Sequence, residues 1–111
     1  MANRFKGEIE TATGHKMVLD YNALAELESI AGKRAQEVLE SLDDGSVSLT
    51  DLRAFYLACL RRHHPDLSVF DAGDIVSEDP EAWVRVVAAA SPDAPKEVSP
   101  GNAKARQKKA G

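Results

Sequence analysis

The sequence predicts a small α+β domain over residues 1–91: an N-terminal β-hairpin, then about five short packed α-helices, with a disordered basic tail over 92–111. Three observations predict it. Residues 4–21 alternate in sidedness around a glycine, the two-residue period of strands. From Asn22 the apolar residues recur every three or four positions between capping residues, the period of helices. Beyond Ser91 the chain holds three prolines, two glycines and seven charges, with small apolar residues and one valine, too little to bury.

A length of 111 residues is one domain's worth. It can bury one core without metal or disulfide staples. Aromatic residues are only 5%, so Leu, Val, Ile and Ala must build that core. In the first strand Phe5, Gly7, Ile9 and Thr11 share one parity, with Lys6, Glu8 and Glu10 on the other. After the Thr13-Gly14-His15 break, Met17 and Leu19 alternate with Lys16, Val18 and Asp20. An isolated hairpin is marginal in water, so this one must pack on the helices.

The first helix is predicted from an Asn22 N-cap through Leu24, Leu27 and Ile30 to a Gly32 stop. The second runs from Lys33 to about Leu42 on Ala35, Val38, Leu39 and Leu42, ended by Asp43-Asp44-Gly45. The third has Ser48 and Asp51 at capping-box spacing and a stripe of Leu52, Phe55, Tyr56, Cys59 and Leu60. It is predicted to close on Arg61-Arg62-His63-His64, cations favoured by the helix dipole, before Pro65. Ser68 and Asp71 repeat the capping-box spacing for a short helix through about Ser77, with Val69, Ala72, Ile75 and Val76 apolar. Asp79-Pro80-Glu81 opens the last helix as N-cap, proline and first-turn acid, and Trp83, Val86, Val87 and Ala90 supply its inner face.

Composition excludes several function classes. No apolar run approaches the roughly 18 residues of a membrane span, and no basic-then-apolar start predicts a secretory signal. The single Cys59 excludes an internal disulfide and fits a reducing compartment. The net charge of −4 is uneven. Residues 92–111 carry five basic and two acidic residues, net +3, and residues 1–91 carry nine and sixteen, net −7. An acidic body argues against nucleic-acid binding, which needs clustered Lys and Arg. The tail reads as solubilising, with a salt-dependent nucleic-acid contact as its rival.

Candidate chemical sites are few. Cys59 and His63 are i, i+4 neighbours with His64 adjacent, a spacing that suits metal ligands or a thiolate–imidazole pair. A core cysteine beside a basic helix end explains them more simply. Aligning Gly45 with the glycine of an EF-hand loop puts Leu42 at a ligand position, and leucine cannot bind calcium. Asp71, Asp74, Glu78, Asp79 and Glu81 read as caps and a solvated face rather than an acid/base pair. There is no phosphate-binding glycine loop, no G-x-S-x-G and no H-E-x-x-H. The expectation is a protein that is not an enzyme and uses no metal or cofactor.

The order of segments carries a resemblance. Gly7-Glu8-Ile9 is followed by Met17-Val-Leu-Asp-Tyr-Asn22-Ala-Leu-Ala-Glu-Leu-Glu28, then Leu52-Arg53-Ala54, then Pro65-Asp-Leu-Ser-Val-Phe-Asp-Ala-Gly-Asp-Ile75, and Gly101-Asn102 near the end. This resembles the small tail protein of gene transfer agents and related siphophages, a family of phage tail assembly chaperones. The likeness runs from residue 5 to about residue 102 and rests on the order of short motifs. It implies a non-enzymatic protein of the bacterial host cytoplasm that transiently coats the helical, aggregation-prone tape measure protein and keeps it soluble while tail tube subunits assemble. The partners implied are the tape measure protein and the tail tube protein, with self-association as a further expectation and no membrane. The alternative is a structural tail component, tail tube or tail completion protein, retained in the particle. The residues expected at the partner surface are Leu24, Leu27, Leu52, Phe55, Tyr56, Val69 and Ile75, each equally readable as core.

Overall fold

A computed structural model describes residues 5–91. It contains an antiparallel hairpin followed by five helices, the α+β architecture the periodicities predict. The predicted tail, 92–111, lies outside the described residues. Strands β1 (Lys6–Glu10) and β2 (Lys16–Asp20) pair from Lys6 opposite Asp20 to Glu10 opposite Lys16. The turn closes on the Thr11 N–H donating to the His15 carbonyl at 2.7 Å and the Gly14 N–H to the Thr11 carbonyl at 2.9 Å.

The inward parity of β1 is as expected, but β2 departs from simple alternation. Met17, Val18 and Leu19 are all buried, because helices cover both faces of this strand. Helix α1 (Tyr21–Ala31) follows β2 without a loop. Its N-cap is therefore Asp20, not Asn22: the strand-end carboxylate accepts the Ala23 N–H at 2.9 Å. Gly32 and Gly45 end α1 and α2 (Ala35–Asp44) in the left-handed conformation that lacks a steric penalty only for glycine. The start of α2 shifts two residues past the expected Lys33, to where Glu28 of α1 accepts the Ala35 N–H at 2.9 Å.

Helix α3 (Leu49–Leu60) is the centre of the fold. Every residue from Ala54 to Leu60 is buried, so the predicted stripe is in fact a helix enclosed on all sides. Only half of its expected capping box forms. Ser48 Oγ accepts the Asp51 N–H at 3.0 Å, while the Asp51 carboxylate takes Lys33 Nζ at 2.8 Å instead of turning back. The helix also ends at Leu60, before the Arg61–His64 run, which forms a turn sealed by the His64 N–H on the Leu60 carbonyl.

Helix α4 (Val69–Glu78) carries the complete capping box, Ser68 Oγ with the Asp71 N–H and Asp71 Oδ2 with the Ser68 N–H. Helix α5 (Ala82–Ala90) starts without the predicted Asp79 cap. Asp79 is used elsewhere: its carboxylate binds the Ala12 N–H at 2.8 Å and Arg85 at 2.7 Å. In the assembled domain α1 and α4 flank α3, and α5 lies across β1. Among the described residues no helix is long and apolar enough to cross a membrane.

Candidate functional site

The expected partner residues do not form one surface. Leu27, Phe55, Tyr56 and Ile75 are buried in the core, and the Tyr56 hydroxyl is satisfied there, donating to the Asp79 carbonyl at 2.7 Å and accepting the Trp83 N–H at 3.3 Å. Leu24 and Leu52 are half-buried against that core, and Val69 is 39% exposed. Of the seven, Leu52 is the one that lines an open groove.

That groove lies between the N-terminal half of α3 and the middle of α4, with a volume of about 260 Å³. Leu49 and Leu52 come from α3, three residues apart just after the Ser48 cap, and Gly73 and Val76 come from α4. Arg53 crosses it. Its stem packs on α4 at Gly73, where a Cβ would sit 3.3 Å from Arg53 Cδ. Its guanidinium stands 5.7 Å from the centre of the Phe70 ring, a cation–π distance. Phe70 and Leu49 are large apolar side chains left 78% and 81% exposed. Periodicity overlooks Phe70, which falls off the i, i+3, i+4 stripe of α4, whereas Leu49 continues the α3 stripe one turn before Leu52, the signal that would have found it.

Two further cavities are less suited to recognition. A cleft of about 400 Å³ beside Asp20, Glu26, Arg61 and Arg62 is polar, but its charges are already matched, Arg62 to Asp20 at 3.4 Å and Arg61 to Glu26 at 3.9 Å. An apolar recess of about 280 Å³ among Leu19, Leu39, Trp83 and Val87 is bounded by Phe5 and Ser91, the first and last described residues.

The candidate chemistry at Cys59 and His63 separates in space. Cys59 is buried, and burial pushes its thiol pKa up, with the Asp20 charge adding to the effect; such a thiol is a poor nucleophile. His63 instead reaches Glu8 at 3.2 Å. Among the described residues no three His, Cys, Asp or Glu side chains are grouped to hold a metal ion. Asp71 and Asp79, from the acidic stretch, are a helix cap and a structural ligand respectively.

All three histidines nevertheless lie along the hairpin, His15 and His64 at its turn end and His63 against Glu8 of β1. The Lys16 N–H donates to His64 Nε2 at 3.0 Å, and the His15 ring meets His64 edge-on at 5.1 Å. His64 must be neutral to accept that bond. Its pKa is held below the ordinary histidine value, first by burial and then by His15, His63 and Lys16. A lowered histidine pKa means the unfolded chain takes up the proton first. The stability from neutral His64 is thus fully present above the ordinary histidine pKa and is lost as pH falls from there to the lowered value. The thermal midpoint is expected to fall with acidification from pH 7.5 to 5 by about a few degrees more in the native chain than in His64→Gln. Parallel midpoint curves would show that His64 plays no such part.

No protein-family model, curated protein or solved structure matches this chain.

Proposed function

We propose that this chain is a non-enzymatic phage tail assembly chaperone of the gene-transfer-agent type, acting in the host cytoplasm. It binds the tape measure protein transiently, keeps it soluble and helps recruit tail tube subunits. The observation that carries this reading is the α3–α4 groove, with exposed Leu49 in its lining and exposed Phe70 beside it against Arg53. An acidic body of net charge −7 over residues 1–91 can cover an apolar helix through such a groove and keep the complex in solution. Part of the groove, Leu52, Arg53 and Gly73, falls within the segments that carry the resemblance, Leu52–Ala54 and Pro65–Ile75.

A tail tube subunit is the competing role. Tube subunits polymerise through long sheets, and the described residues offer two strands of five residues each, which favours the chaperone. Co-expression with the tape measure protein of the same phage tests the proposal. The tape measure protein is expected to become soluble and to co-purify with many copies of this chain. Failure of the two to associate would remove the chaperone reading. Stoichiometric recovery of the chain from purified particles would replace it with the structural role.

A further inference from the structure

We infer that the α3–α4 groove binds one amphipathic helix whose apolar stripe carries an aspartate or glutamate placed against Arg53. This rests on the reading of the chain as a binder of a helical partner and adds the chemistry of the segment it selects. Arg53 is the central observation. Its Nε is buried and has no hydrogen-bond partner, and its guanidinium makes no ion pair among the described residues. Arg61, the other arginine with a buried unpartnered Nε, at least faces Glu26.

The buried Nε lies out of a docked partner's reach, so an incoming acceptor meets the terminal guanidinium nitrogens, which have no ion-pair partner among the described residues. The Arg53 stem lies by the α4 backbone at Gly73, and its guanidinium stands 5.7 Å from the Phe70 ring. A carboxylate is the acceptor that matches its fork of donors. Leu49, Leu52, Val76 and Phe70 surround it with apolar surface, so the carboxylate must arrive on an apolar segment. Among the described residues the groove is lined by α3 and α4 with no strand, which suits helix-in-groove packing.

The test places a photo-cross-linking phenylalanine analogue at position 70, in cells that make the tape measure protein and the particle. The cross-linked segment is then identified by mass spectrometry. A tape measure segment with helical apolar spacing and an Asp or Glu within the stripe is the expected result. A peptide of that segment is expected to bind Arg53→Gln about thirtyfold more weakly than the native chain. The thermal midpoint of the free protein should stay within a few degrees, which a purely structural arginine would not allow. Changing the peptide's acid to its amide should weaken binding equally, with little added loss against Arg53→Gln.

Other outcomes separate the two readings. If the tape measure protein co-purifies but gives no cross-link from position 70, or binds Arg53→Gln undiminished, the groove assignment is wrong and the chaperone role stands. A cross-link to an acidic-striped helix of a different protein, lost in Arg53→Gln, keeps the groove and removes the tape measure partner. No association and no cross-link would overturn both.

Discussion

Gly7→Ala is expected to destabilise the domain by about 3 kcal/mol or more, a large share of the usual 5–15 kcal/mol margin. Gly7 sits opposite Leu19 in the hairpin, where the last turn of α5 crosses β1. A Cβ built on it would collide with Ala90 N and approach Ala89 C to 2.6 Å and Ala90 Cα to 2.7 Å. These are backbone atoms of a helix, which cannot swing aside as the end of a side chain can. Either α5 lifts off β1 and exposes Val86 and Ala90, or the hairpin shifts and loses its register with the core. Gly73→Ala is the contrast, since the atom its Cβ meets at 3.3 Å is the flexible stem of Arg53. Urea midpoints should therefore separate the two variants widely, with Gly73→Ala close to the native protein. Equal midpoints would mean that α5 does not rest on Gly7.

The close crossing at Gly7 shows what a one-dimensional pattern can and cannot carry. Alternation places Gly7 on the inward parity with Phe5 and Ile9, but nothing in it shows that a helix from the far end of the chain arrives there. The hairpin and all five helices were legible because each has its own period and its own boundary signal, such as the Gly32 and Gly45 stops and the Ser68–Asp71 box that starts α4. Asp51 and Asp79 each had a local cap to make, and tertiary neighbours, Lys33 and the hairpin turn, took their carboxylates instead, whereas Asp20 makes a local cap that its place in the strand pattern hides. The same limit applies to the groove. Leu52 was visible as part of a stripe, whereas Leu49, Arg53 and Phe70 gain significance only when α4 is laid against α3. A stripe marks what is buried, and for that reason it selected Phe55, Tyr56 and Ile75, which are core.

Asp79→Ala is expected to cost about 2–3 kcal/mol, because one carboxylate there joins the hairpin turn to α5. It accepts the Ala12 N–H from the hairpin turn at 2.8 Å and Arg85 from α5 at 2.7 and 3.3 Å, while its own carbonyl takes the Tyr56 hydroxyl from α3. The carboxylate side chain is only 9% exposed, so water cannot replace those partners freely. Alanine would leave the Ala12 N–H without its acceptor and free the Arg85 head, about half of which already faces solvent. Asp79→Asn keeps an acceptor for Ala12 and loses the charge opposite Arg85, so its cost should be smaller. The pH dependence gives an independent check. Hydrogen bonding from Arg85 is the main cause holding the Asp79 pKa below the usual carboxylate value, followed, against the opposing effect of burial, by the Ala12 N–H. A lowered acid pKa contributes stability that is present above the unfolded value and lost as pH falls through the folded one. The gap between the native chain and Asp79→Ala should therefore hold at neutral pH and narrow on strong acidification, in chemical denaturation measured across that range. A gap that stays constant into acid would mean that the loss comes from packing around residue 79, and the carboxylate would no longer be the link between the hairpin turn and α5.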